Sequence, residues 1–182
     1  MLLRTKLFGK TYEFPDLRVL MGKANEEKSG DQLAGVAAES TAERAAAKLV
    51  LAEVPLWALY DNPAVPYEQD EVTRVIRDAI DAQVYAEIRA WTVGSLREWL
   101  LKDSTNGAEI RRVSAGLTSE MIAAVTKLMS NLDLIYAASK MRVEMHCANT
   151  IGAPGTLSSR LQPNDPTDSP EGIRAEIYEG LS

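Results

Sequence analysis

Arg160 and Gln162 stand two residues apart in the run Thr-Ile-Gly-Ala-Pro-Gly-Thr-Leu-Ser-Ser-Arg-Leu-Gln-Pro-Asn-Asp at 150–165. A guanidinium stays charged and donates through a planar fork, and a carboxamide both donates and accepts. In a strand, positions i and i+2 share a face, so these two groups would converge on one small volume while Leu161 turns the other way. Pro163 lacks a backbone donor and ends such a strand at once. Two polar groups aimed together form a substrate clamp where their face lines a cavity. On a solvated edge strand the same spacing carries no function, and spacing alone favours that plainer reading.

Other chemistry-bearing residues are less well placed. His146 and Cys147 are adjacent, but the chain holds no second histidine or cysteine. A metal site needs three or four protein ligands and a thiol nucleophile needs a positioned base, so packing or solvent exposure is the better reading. Glu68, Asp70, Glu71, Asp78 and Asp81 read as a solvated helical face. Gly152, Pro154 and Gly155 lack both the Walker lysine and the Gly-x-Gly-x-x-Gly pattern of phosphate loops. Trp57, Trp91 and Trp99 lie in helical patterns and read as core or interface. Asn164 and Asp165 suit a turn before the last helix.

The elements that must position Arg160 and Gln162 follow from periodicity and punctuation. Residues 1–14 form an irregular or weakly β arm, with Tyr12 and Phe14 alternating around Glu13. A helix starts at Pro15 and ends near 28–30. Ser40-Thr41-Ala42-Glu43 has capping-box spacing and opens a helix that runs to Pro55. Residues 56–60 make a helical turn broken by Asp61-Asn62-Pro63. Val72, Val75, Ile76, Ala79, Ile80, Val84 and Ile88 follow helical spacing. Ser95-Leu96-Arg97-Glu98 opens another helix, with Asn106 and Gly107 at its exit. Gly116 caps residues 108–115 at their C-terminal end. Thr118 caps a helix carrying Met121, Ile122, Val125, Leu128 and Met129. Ser130 and Asn131 interrupt it, and 132–140 continue in helical register.

After Met141 the texture changes. Gly and Pro residues lead into a strand within 154–162. Pro170 then starts a last helix whose apolar stripe is Ile173, Ile177 and Leu181. One strand with one helix is a single β/α repeat, and a lone barrel strand leaves both edges unpaired. The helices before it carry enough periodic apolar residues for a core, whereas the region after residue 150 does not.

Composition sets the outer bounds. The 182 residues are 46% hydrophobic and 25% charged, which suits a soluble globular domain. A net charge of −6 argues against a nucleic-acid partner, whose footprint is a basic patch. No apolar run approaches the roughly 20 residues that cross a bilayer, so no membrane association is expected. The N-terminus has no sustained apolar h-region, so no secretory signal is expected. A single cysteine fits a reducing cytoplasm.

Several ordered blocks carry a family resemblance. They include Ser29-Gly30-Asp31 with Leu33-Ala34-Gly35-Val36-Ala37-Ala38, Glu43-Arg44, and Gly116-Leu117-Thr118-Ser119-Glu120. Asp133-Leu134-Ile135-Tyr136, Arg160-Leu161-Gln162-Pro163-Asn164-Asp165 and Ile177-Tyr178-Glu179-Gly180-Leu181-Ser182 follow. Together they resemble the large (heavy) subunit of ethanolamine ammonia-lyase, a family whose large subunit continues far beyond Ser182. The resemblance implies a mainly α N-terminal portion of that subunit. Residues 1–149 would be a helical region and 150–182 the first β/α unit of an incomplete (β/α)₈ TIM-type barrel. It further implies an adenosylcobalamin-dependent radical lyase that converts ethanolamine to acetaldehyde and ammonia. Arg160 would bind the substrate oxygen and stabilise charge there, and Gln162 would bind the substrate ammonium. Cobalamin contacts and the remaining substrate ligands would lie outside this chain, with no metal site within it. The implied partners are ethanolamine, the small subunit and further large subunits in a homo-oligomer. The implied setting is the cytoplasm, with a bacterial microcompartment as a narrower alternative. The 182-residue chain alone would be inactive. The rival reading is a non-catalytic helical interaction or assembly module.

Overall fold

The alternation around Glu13 closes into a regular hairpin rather than an irregular arm. β1 (Arg4–Leu7) pairs antiparallel with β2 (Lys10–Glu13), in register from Arg4↔Glu13 to Leu7↔Lys10. Phe8 and Gly9 make the turn with φ of 50° and 78°, the left-handed pair that a two-residue hairpin loop requires. The computed structural model describes residues 2–146, 150–157 and 160–181. The chain divides into two compact units, residues 1–141 and 142–182.

In the first unit, cap chemistry decides where the helices begin. α1 (Leu17–Lys23) starts two residues after Pro15, because the Asp16 carboxylate accepts the N–H of Val19 at 2.7 Å. The short α2 (Ser29–Leu33) follows. α3 (Thr41–Ala52) begins where the capping pattern placed it, with Ser40 Oγ accepting the N–H of Glu43 at 3.1 Å. The return arm differs, since the Glu43 carboxylate accepts the N–H of Glu39, one residue before the cap, at 2.6 Å. α4 (Leu56–Asp61) is the expected short turn of helix.

The apolar series from Val72 to Ile88 divides into α5 (Glu71–Asp78) and α6 (Ala82–Ile88). Asp81 makes the break. Its carboxylate caps α6 through the N–H groups of Gln83 and Val84, at 2.9 and 3.1 Å, and its own N–H donates to the Ala115 carbonyl at 2.8 Å. Val72 and Val75 are exposed, while Val84 and Ile88 are buried. α7 (Val93–Leu101) begins three residues earlier than expected. Thr92 is its cap, and Ser95 is the return partner of the box. Asn106 does not close α7 but caps α8 (Gly107–Ser114), in a box with Glu109. α9 (Ser119–Lys127) and α10 (Asn131–Lys140) complete the unit.

α3 lies at the centre, packed against β1, β2, α1, α7 and α9. Leu20, Leu51, Leu56, Ile88, Leu96 and Met121 are almost wholly enclosed. Trp91 and Trp99 pack against this core with ring centroids 5.5 Å apart, whereas Trp57 is 40% exposed. Among the described residues no helix is long and apolar enough to cross a membrane.

The second unit carries little strand. β3 (Met145–His146) and β4 (Thr150–Ile151) form a minimal antiparallel hairpin. The strand expected within 154–162 is not formed at its described residues, 154–157 and 160–162. A strand is stabilised by ladder bonds to a neighbour, and among the described residues no strand pairs with this segment. α11 (Pro170–Leu181) starts at the expected proline, with Ser169 Oγ accepting the N–H of Gly172 at 3.2 Å. Among the described residues none beyond Ala137 is buried, which matches the expectation that the region after 150 lacks a core.

Candidate substrate clamp

Residues 160–165 are held by α11 instead of by a sheet. Leu161 packs where a Cβ on Gly180 would have to sit; such an atom would come within 2.8 Å of Leu161 Cδ2 and closer still to Cδ1. Three residues on, the N–H of Asn164 donates to a Glu176 carboxylate oxygen at 2.8 Å. Next, the Asp165 carboxylate occupies the space beside Gly172, its Cγ only 2.9 Å from an ideal Cβ there. As the segment advances from 161 to 165, its contacts on α11 retreat from 180 to 172. The segment and the helix are therefore antiparallel, which is the arrangement of a strand and helix in a β/α unit.

Asp165 also builds the turn into α11. Its carboxylate accepts the N–H and the hydroxyl of Thr167, each at 2.9 Å, and these bonds hold its carboxyl below the ordinary aspartate value. Its carbonyl accepts the N–H of Asp168 at 3.0 Å. This is the turn expected at Asn164–Asp165.

Leu161 is the residue of its trio committed to the helix. Arg160 and Gln162 flank it, and both are exposed. Among the described residues neither side chain has a hydrogen-bond or ion-pair partner. The sequence pairing is thus retained as adjacency on one segment, although the ladder that would make it a strand is missing. Ser158, on the same expected strand face, lies outside the described residues. A guanidinium and a carboxamide two positions apart, unpartnered among the described residues, suit a small polar ligand, with the first group for an oxygen and the second for an ammonium.

The remaining candidates have structural work. Asp70 caps α5 through the N–H and hydroxyl of Thr73, both at 2.7 Å. Glu71 pairs with Arg74 at 3.0 Å, and Asp78 accepts the Tyr67 hydroxyl at 3.0 Å. His146 Nδ1 lies 3.1 Å from Thr150 Oγ1 across the small hairpin. Cys147 lies outside the described residues. Among the described residues no group of three or more His, Cys, Asp or Glu side chains is placed to hold a metal ion. Sequence reasoning missed the Gly172, Glu176 and Gly180 stripe. Its signal was the four-residue spacing, one position before each member of the Ile173, Ile177 and Leu181 stripe.

The family model for the ethanolamine ammonia lyase large subunit matches residues 12–182. The ethanolamine ammonia-lyase large subunit of Escherichia coli is 50% identical over all 182 residues, a match covering 40% of that protein. The large subunit of Salmonella typhimurium is also 50% identical over the same 182 residues. The chain therefore spans about 40% of the length of the curated relatives it matches.

Proposed function

The chain belongs to the ethanolamine ammonia-lyase large-subunit family, and on that premise we propose that residues 150–182 are the first β/α unit of a (β/α)₈ barrel that deaminates ethanolamine to acetaldehyde and ammonia. The observation that carries this reading is the antiparallel seating of 161–165 on α11. In such a barrel the strand side chains that face away from the helix line the interior, and catalytic groups stand at strand ends. In a strand of such a barrel Arg160 and Gln162, flanking Leu161, would be the two side chains turned to that interior.

Their roles follow from their chemistry. Arg160 donates to the substrate hydroxyl oxygen and stabilises negative character that develops there. Gln162 offers its amide oxygen to the substrate ammonium and adds no charge. Adenosylcobalamin, when bound, supplies the radical that starts the reaction. The described residues do not fit a corrin seat. The one histidine is exposed on the β3–β4 hairpin, and hollows among the described residues of 1–141 include clefts of about 190 to 480 Å³. Cofactor binding accordingly falls to the remainder of the large subunit and to the small subunit. Exposed as they are, Arg160 and Gln162 do not by themselves exclude water, so the 182-residue chain is inactive alone. Further large-subunit copies and the small subunit complete the assembly, in the cytoplasm or within a bacterial microcompartment.

A graft tests this. Residues 1–182 replace the matching part of the Escherichia coli large subunit, and the chimaera is assembled with the small subunit and adenosylcobalamin. The chimaera should release acetaldehyde from ethanolamine, and the 182-residue chain given the same components should not. Turnover by the chain alone, or silence from a folded chimaera that binds cobalamin, would overturn the proposal.

A further inference from the structure

Gly172, Glu176 and Gly180 recur every four residues and so form one stripe along α11. Each is met in turn by Asp165, Asn164 and Leu161. The two glycines matter for what they lack. A Cβ at 172 would collide with the Asp165 carboxylate, and a Cβ at 180 with both methyls of Leu161. Between them Glu176 makes a directional contact from the helix to the main chain of this segment, accepting the Asn164 N–H at 2.8 Å. A carboxylate accepting a backbone N–H is a charge-assisted bond, stronger than a neutral one. A main-chain bond also fixes register, which an apolar contact such as that of Leu161 does not.

From this geometry we infer that Glu176 is a positioning residue, seated between two glycines, that sets where Arg160 and Gln162 stand. The inference rests on the substrate-clamp reading of those two residues. Glu176 touches neither of them. It fixes the backbone two residues after Gln162, and a small displacement there moves both polar groups together. Catalysis is sensitive to shifts of about an ångström in such groups. In the described chain, where 160–162 form no ladder, this main-chain contact comes from the helix.

Two measurements test this. In the 182-residue chain, the Asn164 amide should exchange with solvent about tenfold faster in Glu176→Ala, and Glu176→Gln should restore protection because its side-chain oxygen still accepts. In the assembled chimaera, Glu176→Ala should lower kcat about tenfold with a smaller change in KM for ethanolamine, and Glu176→Gln should recover most of it. An Asn164 amide as protected in Glu176→Ala as in the parent overturns the seat. A parental kcat in Glu176→Ala overturns its positioning role. Arg160→Ala, assayed alongside, separates the two levels. If Arg160→Ala is inactive and Glu176→Ala is not, only the positioning role falls. If both are fully active, the substrate clamp falls with it.

Discussion

A terminal guanidinium nitrogen of Arg97 lies 2.6 Å from Oδ2 of Asp133, and that same oxygen accepts the N–H of Ser130 at 3.0 Å. One carboxylate therefore caps α10 and ties it to α7. The side chains are 34% and 23% exposed, so the pair is shielded from solvent more than an ordinary surface bridge.

The Arg97 bond, followed by the Ser130 N–H, holds the Asp133 carboxyl below its ordinary value. Asp70 is lowered by its Thr73 bonds, and Glu26 by its bond to Lys48. A carboxyl whose folded value lies below its unfolded value stabilises the fold fully above the unfolded value. That stabilisation is lost as pH falls through the folded value. Urea midpoints should therefore hold steady from neutrality down to about pH 5.5 and fall progressively below about pH 5, where unfolded carboxylates titrate. Asp133→Asn should lower the neutral plateau and flatten the acid decline. An unchanged acid slope in that variant would show that the pair contributes nothing there.

Burial separates the two units sharply enough to predict opposite sensitivities. Leu51 is 0% exposed in the last turn of α3, whereas Leu157 is 99% exposed. Leu51→Ala should cost about 2–5 kcal/mol through lost burial and a residual cavity. Leu157→Ala should stay within about 0.5 kcal/mol. Equilibrium unfolding in urea distinguishes them, and equal costs would contradict the placement of the core within residues 1–141.

Two glycines give a contrast of sign. A Cβ on Gly116 would lie 2.8 Å from both the Tyr85 nitrogen and Val84 Cγ1, against the start of α6. Gly116→Ala should therefore destabilise by about 1–3 kcal/mol, as overpacking does. Gly30, within α2, has nothing near its Cβ direction and no positive φ. Gly30→Ala should stabilise by about 0.4–1 kcal/mol by restricting the unfolded chain. Thermal unfolding of both variants checks this, and a stabilising Gly116→Ala would mean that α6 and α8 approach less closely than described.

The helices were legible because their caps and apolar periods are local. Ser40, Thr118 and Pro170 mark starts that the structure keeps. The errors came where two residues competed for one role. Asp16 outcompetes Pro15 as a boundary because a carboxylate satisfies a free N–H and proline only avoids needing one. Thr92 displaces Ser95 because the box closes in the reverse sense. Asp81 divides an apolar stripe that is continuous in sequence, since its N–H is claimed by Ala115, thirty-four residues away. The strand at 160–162 failed for a different reason. Alternation specifies which faces the side chains take, but a ladder also needs a partner strand. The seat on α11 was invisible because Gly172, Glu176 and Gly180 carry no apolar signal. Only the contacts with Asp165, Asn164 and Leu161 give that spacing a meaning.

The clamp itself yields the most demanding prediction. In the assembled chimaera, Arg160→Ala should lose far more activity than Arg160→Lys, because lysine keeps the charge while giving up the planar fork. Gln162→Ala should chiefly raise KM for ethanolamine, since the amide holds the ammonium end in ground and transition states alike. Losing a bond to a charged group is typically worth about 1.5–3 kcal/mol, so each loss should exceed about tenfold. Arg174→Ala is the control. It removes an exposed guanidinium from α11 and so tests whether lost positive charge in this unit is enough by itself. The measurement is steady-state acetaldehyde release, with folding and cobalamin binding verified for each variant. If Arg160→Ala and Gln162→Ala both keep parental kinetics, the two side chains are surface polar groups and the barrel's substrate ligands lie elsewhere. If Arg174→Ala matches Arg160→Ala, the effect is one of net charge, and the geometry of the 160–162 segment has no part in it.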